Sequence, residues 1–391
     1  MRELSRLLVR IPTSATMAVN DKAKALKAAG QDVIALAGGD PDFDTPAHIL
    51  DAAFSAMRGG QTHYPSPTKG IIPLLQAIAE KMANDHGLHV KYDSDIVVTP
   101  GSKWALNIAL ASVVNPGDEV LYLEPVWVSY PPIIRLHGAE PVPVSLSAEE
   151  NFKVTAERLR SHITPKTKAL MVNSPNNPTG RVLSREEVDA IVKVAIEADL
   201  FVISDEVYEK LIFDGREHIS FAAQPGMAGR TLTVNGLSKN YAMTGWRLGW
   251  LVGPTAIMKL AAKMNSQTVT AAATFTMAAA VAALTGPQDV VEEMRLAYQK
   301  RRDYMVKALN EIEGIECRAP EGAFYLLPRF THTELKSLQL ANDLLERTNI
   351  AATPGIAFGR SAEGHLRFSF ATAMSELERA VERLATVAPN L

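Results

Sequence analysis

Short apolar runs of strand length recur along the chain, each closed by turn residues and followed by a helical pattern. Ile96 to Val98 leads into Thr99-Pro100-Gly101-Ser102 and then the helix-like Lys103 to Val114. Ala169 to Val172 leads into Asn173-Ser174-Pro175-Asn176-Asn177-Pro178-Thr179-Gly180. Ser184 and Glu187 then have capping-box spacing, which marks a helix start. Phe201 to Ser204, Thr231 to Val234 and Gly249 to Val252 are further strand candidates. Strands that alternate with helices in this way predict an α/β fold with a mostly parallel central sheet flanked by helices.

A chain of 391 residues is long for a single core and suggests two domains. The stretch from Pro287 to about Ile312 reads as a long amphipathic helix at their junction. The expected division is a large domain over 47–286 and a smaller α/β domain built from both chain ends, 1–46 and 287–391. The nearly uncharged stretch from Met264 to Val290 is mostly Ala and Thr, so it predicts a buried helix rather than a membrane span.

A net charge of −3 and no long basic run leave no electrostatic footprint for nucleic acid. The single cysteine, Cys317, excludes an internal disulfide and a multi-cysteine zinc site, and it fits a reducing compartment as an inert thiol. Arg2, Glu3, Arg6 and Arg10 interrupt the apolar residues near the amino terminus, unlike a signal peptide, so the expected location is cytoplasmic. The nine histidines contain no His-x-x-x-His pair and no Glu-x-x-His cluster, so no metal site is predicted. A Gly-x-Gly-x-x-Gly dinucleotide fingerprint is absent, and the serine-hydrolase spacing Ser66-x-x-Lys69 lacks its companion motifs.

In open parallel sheets ligands bind beyond the carboxyl ends of the strands. The residues just past the strand candidates form a coherent set: Ser102 and Lys103, Asn177, Asp205 and Tyr208, Ser238 and Lys239, with Arg247 eight residues further on. That inventory matches an aldehyde cofactor with a phosphate and a pyridine ring. Lysine forms a Schiff base when its amine is neutral, and a carboxylate such as Asp205 keeps the pyridine nitrogen protonated. Tyr208 and Asn177 can donate to a phenolic oxygen. Gly101-Ser102-Lys103 at a helix start and the planar fork of Arg247 suit a phosphate.

With these residues in view, the sequence resembles the aspartate aminotransferase family, class I of the pyridoxal-phosphate (PLP) dependent aminotransferases, over nearly its whole length. Ser238-Lys239-Asn240-Tyr241-Ala242-Met243-Thr244-Gly245-Trp246-Arg247 resembles the family's lysine motif, Asn176-Asn177-Pro178-Thr179-Gly180 its asparagine motif, and Asp205-Glu206-Val207-Tyr208 its Asp-x-x-Tyr segment. Pro41-Asp42-Phe43-Asp44-Thr45-Pro46 and Leu366-Arg367-Phe368-Ser369-Phe370-Ala371 resemble the signatures near the two ends.

The resemblance implies the PLP-dependent transferase fold type I. It implies Lys239 as Schiff-base lysine and proton shuttle, Asp205 at the pyridine nitrogen, Asn177 and Tyr208 at the phenolic oxygen, and Trp127 stacked on the ring. Gly101, Ser102, Lys103, Ser238 and Arg247 would hold the phosphate, with Tyr64 reaching it from the other subunit of a homodimer. Gly39 and Arg367, with Trp127 and Asn177 beside them, would hold the substrate. Many relatives have a serine three residues before the lysine, where this chain has Gly236.

The implied reaction is ping-pong transfer of an amino group from an L-amino acid to a 2-oxo acid. A PLP-dependent lyase or cyclising synthase begins with the same carbanion and would release ammonia or a thiol without an acceptor acid. A PLP-sensing transcription regulator would need an added DNA-binding domain, and the resemblance begins within the first fifteen or so residues. In relatives that prefer dicarboxylic substrates a lysine directly precedes a Pro-Ser-Ala-Thr segment. Here Arg10-Ile11-Pro12-Thr13-Ser14-Ala15-Thr16 has Pro12 at that place, so activity on neutral or aromatic amino acids is expected alongside or above aspartate.

Overall fold

The computed structural model describes residues 4–9, 11 and 15–387. Seven strands make the central sheet: β1 (Ile96–Thr99), β2 (Glu119–Glu124), β3 (Glu140–Ser145), β4 (Thr167–Asn173), β5 (Phe201–Asp205), β6 (Thr231–Gly236) and β7 (Gly249–Val252). Their spatial order is β1-β7-β6-β5-β4-β2-β3. The run from β6 to β3 is parallel, while β7 lies antiparallel between β1 and β6. The carboxyl ends of β1, β2, β4, β5 and β6 therefore share one edge with the amino end of β7.

Both faces of this sheet are covered, which is why its strands read as near-continuous apolar runs. Val97, Val120, Met171, Ile203, Leu232 and Leu251 pack on one face with Leu106 and Ile134. Their neighbours point the other way: Leu121, Leu170 and Val202 pack with Ile191, and Val98 and Trp250 pack with Met277. Successive strand residues alternate sides, so each strand contributes to both cores.

Two helices that follow strands begin in contrasting ways. Helix α2 (Arg185–Glu197) has the complete capping box, with Ser184 accepting from Glu187 N and Glu187 reaching back to Ser184 N. Such a cap stabilises a helix by about 1 kcal/mol. Helix α1 (Ser102–Val113) starts instead at Gly101, with no side-chain cap and no acidic residue in its first turn. Its first N–H groups keep their positive field for a ligand.

The nearly uncharged stretch departs from the single buried helix that its composition predicts. It holds the end of a helix Thr255–Thr268, a break, and a second helix Thr274–Thr285. Val269 to Ala273 lie outside both helices, and Thr270 among them has a φ of 65°. Among the described residues no helix is long and apolar enough to cross a membrane.

Helix α3 (Asp289–Asn310) bridges two cores. Val291 packs with Trp250 and Met277, whereas Met294, Tyr298, Met305 and Leu309 pack with Phe324, Leu344, Phe368 and Leu377. Around that second core sit short strands: Leu366–Ser369 pairs antiparallel with Tyr325–Leu326 and Thr353–Pro354, and Ile34–Ala35 pairs in parallel with Ile350–Ala351. The amino-terminal segment thus joins the carboxyl-terminal part.

Candidate active site

Asp205 ends β5 and is buried. Its Oδ2 accepts a 2.7 Å hydrogen bond from the Tyr130 hydroxyl, while its Oδ1 is buried without a partner. Burial pushes the Asp205 carboxyl up to about 6, and the Tyr130 hydrogen bond offsets part of that rise. Asn173, the last residue of β4, donates to the Asp205 carbonyl at 2.9 Å and accepts from Asn177 N at 2.8 Å, so it holds the Asn177 loop against the end of β5.

Lys239 lies three residues past the end of β6 and donates through Nζ to the Gly39 carbonyl at 2.5 Å. Burial pulls its amine down to about 8. Asp40 resists that fall, whereas the guanidinium groups of Arg367 and Arg247 add to it. A lysine so placed has a substantial neutral fraction near neutrality, the form that attacks a carbonyl.

Arg247 adopts the left-handed conformation with a φ of 51° two residues before β7. The antiparallel entry of β7 at this edge is what returns its guanidinium to the strand ends. Gly101, with a φ of 86°, lies so close that a Cβ there would be 2.6 Å from Arg247 Nη2. Lys103 belongs to the same corner: its ammonium is 5.1 Å from the Trp127 ring centre, and burial and the Arg247 charge both lower its pKa. Two cations and an uncapped helix start converge there, which is an anion site by electrostatics. Half-buried Ser238 lies beside Lys239 in the loop after β6.

The serine missing at 236 has a local reason. The Ser102 hydroxyl donates to the Asn235 carbonyl at 3.0 Å and fills the space that a Cβ on Gly236 would need. The Leu248 carbonyl oxygen, 2.9 Å from that Cβ position, closes it from the other side.

Arg367, on the strand Leu366–Ser369, is buried and donates to Asn177 Oδ1 at 2.9 Å and to the Ala37 carbonyl at 2.6 Å. Its guanidinium stacks 4.3 Å from the Tyr325 ring centre, and its Nε has no partner. Among the described residues these partners are neutral, so the charge is not compensated. The Tyr208 and Tyr325 hydroxyls are 3.0 Å apart, and the absence of a side chain at Gly39 leaves room for Tyr325, whose hydroxyl would lie 2.8 Å from a Cβ there. Trp127 is half-buried with its ring edge-on to Tyr130, 5.9 Å between centres.

One chain therefore brings together Gly39, Gly101, Ser102, Lys103, Trp127, Asn177, Asp205, Tyr208, Ser238, Lys239, Arg247 and Arg367 around the strand ends. Tyr64 stands apart and is 82% exposed. Tyr130 and Tyr325 belong to the site and escaped the sequence reading. Tyr130 follows β2, a strand that is not among the sequence candidates, and Tyr325 comes from a two-residue strand of the other core.

The residues fit pyridoxal phosphate on three observations: an orphaned buried carboxylate oxygen where a ring N–H is needed, a lysine with a depressed pKa, and a cationic cradle that a Cβ at 101 would fill. Fold and site define a PLP-dependent transferase. Residues 31–384 match the family described as "Aminotransferase class I and II". The chain is 42% identical to the aspartate aminotransferase of Musicola paradisiaca, covering 98% of this chain and 96% of that one. It is 43% identical to the aspartate/prephenate aminotransferase of Thermus thermophilus, covering 99% of each. The solved structure of a Thermus thermophilus aspartate aminotransferase with maleate superposes with a TM-score of 0.95 at 42% identity, covering 99% of this chain and 100% of that one. The chain belongs to the class I and II aminotransferase family and is a PLP-dependent aminotransferase acting on amino acids and 2-oxo acids.

Proposed function

We propose that the site residues divide the work of transamination as follows. Bound at this site, the cofactor supplies an aldehyde carbon and an electron-accepting ring on which an amino group is held between half-reactions. Lys239 would hold the cofactor through its amine and move the proton at the substrate's α-carbon. Asp205 uses its unpartnered Oδ1 to hold a proton on the ring nitrogen, with Tyr130 orienting the carboxylate. Tyr208 and Asn177 would donate to the ring's phenolic oxygen, and Trp127 would screen the ring from water. The first-turn N–H groups of Ser102 and Lys103, with Ser238 and Arg247, bind the phosphate, and Gly101, whose own N–H is donated to the Thr99 carbonyl, keeps the space beside Arg247 open.

Arg367 and Gly39 take the α-carboxylate of the substrate. The observation that carries this reading is the Arg367 charge, buried among neutral acceptors. A buried guanidinium without an anion costs several kcal/mol, and a carboxylate offers the matching fork. In a single-turnover assay, one equivalent of 2-oxo acid per site should appear from an amino donor alone, and a second oxo acid should restore the starting spectrum. Release of ammonia without an acceptor would instead favour the lyase reading.

For the donor we propose a range wider than aspartate that includes neutral or aromatic amino acids. Pro12 in place of a lysine supports this. Pro12 and Arg10 lie outside the described residues. A panel of amino donors tests the range, and a preference for aspartate by about a hundredfold, about 2.7 kcal/mol, over every neutral donor would overturn it.

We further propose a cytoplasmic homodimer with shared sites, each chain divided into a large domain at 47–286 and a small domain from 1–46 and 287–391. Tyr64 supports the shared site, because its loop is tied to the helix Thr274–Thr285 by a 2.5 Å bond from Thr274 Oγ1 to the His63 carbonyl while the phenol faces outward. Cys317 is a buried free thiol pushed up to about 12, in keeping with a reducing compartment. Sedimentation that shows a fully active monomer would remove the role of Tyr64.

A further inference from the structure

Just past Asp205 the chain enters a second polar cluster that transamination does not use. Glu209 is buried, with its Oε2 2.7 Å from His86 Nε2 and its Oε1 2.5 Å from Lys81 Nζ. His218 packs edge-on against His86, ring centres 5.4 Å apart, and its Nδ1 is buried without a partner. One ligand atom from each of His86, Glu209 and His218 can be chosen so that all three lie within 4.8 Å of one another. A cleft of about 370 Å³, lined by Asp85, His86, Glu209, Lys210, Glu217 and His218, opens onto them.

We propose that His86, Glu209 and His218 form a binding site for a divalent transition metal of the zinc type, separate from the cofactor site. Two imidazoles and one carboxylate, with a fourth position open to a cleft, are the donor set that zinc takes in three-ligand sites. Zinc–nitrogen bonds of about 2.0–2.1 Å place tetrahedral ligand atoms about 3.3 Å apart, so the cluster closes on an ion by side-chain rotation. The surrounding residues fit as well. Glu206 Oε2 lies 3.0 Å from His218 Nε2, and Glu206 Oε1 is fixed by the hydroxyls of Ser204 at 2.7 Å and Ser220 at 3.0 Å. A carboxylate behind a ligating histidine orients the ring and raises its basicity.

The charge balance leaves room for a cation. Asp85, Glu206 and Glu209 are three carboxylates, and Lys81 and Lys210 are the two ammonium groups paired among them. Glu217 lines the same cleft, so carboxylates outnumber ammonium groups around the three ligand atoms. A metal ion there would pin together the end of the helix Ile72–His86, the turn after β5 and the His218 loop.

The test is titration of the chelator-treated holoenzyme with Co²⁺, read by ligand-field absorbance, followed by competition with Zn²⁺. One Co²⁺ per chain at micromolar affinity, with the spectrum of a nitrogen-ligated low-coordinate ion, is expected. His86→Gln keeps the Glu206–His218 pair and should weaken binding by about tenfold or more while the cofactor absorbance stays unchanged. Absence of saturable binding, a spectrum of oxygen ligands only, or a His86→Gln isotherm that overlays the wild type would overturn the proposal. If His86→Gln does not fold, the stoichiometry and spectrum of the wild type decide it.

Discussion

Tyr130 and Asp205 share a 2.7 Å hydrogen bond that satisfies only one oxygen of a buried carboxylate. The other oxygen has no partner, so without cofactor Asp205 is a buried group whose folded pKa, about 6, exceeds its ordinary 3.8. A carboxyl raised in this way binds its proton more tightly in the folded state, so its contribution to stability falls as pH rises between these two values. At pH 7 the cofactor-free chain should gain up to about 3 kcal/mol from Asp205→Asn, and little at pH 3. With cofactor bound the order should reverse, because the ring nitrogen becomes the missing partner. Denaturant melts of both forms at the two pH values check this. The same sign in both forms would show that Asp205 does not face the ring.

Lys239, at about 8, is roughly a tenth neutral at pH 7. Attachment of PLP to the cofactor-free protein should therefore accelerate with pH, reach half its maximum near pH 8 and level off above that, as followed by stopped-flow absorbance. Lys239→Ala should fold but show no turnover, and borohydride should fix the cofactor on the peptide that contains Lys239. Labelling of another lysine would end the assignment.

Because every amino acid carries the α-carboxylate, Arg367→Lys should lower kcat/KM for all donors alike. Loss of one charged hydrogen bond is worth ~1.5–3 kcal/mol, or about ten- to a hundredfold. An effect confined to acidic donors would mean that Arg367 reads the side chain instead.

Gly236→Ser should harm rather than help. The new Cβ would meet the Leu248 carbonyl oxygen at 2.9 Å and Gly249 Cα at 3.0 Å, backbone atoms that cannot swing aside. Overpacking of this kind costs ~1–3 kcal/mol, so a lowered Tm and faster cofactor loss are expected. An unchanged Tm with firmer cofactor retention would show that the pocket has room for the hydroxyl.

The alternation of strands and helices was legible because each sheet strand ends in turn residues, and the α2 capping box was legible because its chemistry is local. The antiparallel direction of β7 was not, since the residues of a strand buried on both faces look alike in either direction. The strands of the second core, two to four residues each, are too short to show a period. The residues just past the strands that point to a cofactor are the ones the fold gathers, because the sheet edge collects whatever follows its strands. Tyr130 could not be read, as its value lies in a partner 75 positions away. Nor could His86, Glu209 and His218, whose sequence separations defeat any spacing rule.

The reversed strand β7 also fixes a length. Lys239 and Arg247 sit at the two feet of one hairpin, whose legs pair Gly236 with Gly249 and Asn235 with Trp250. A slip of one residue in that pairing would shift the arginine by about 3.3 Å along the sheet edge and turn Trp250 from one core towards the other. The tryptophan, fully buried in the core beneath the sheet, thus acts as the ruler that sets how far apart the two feet stand.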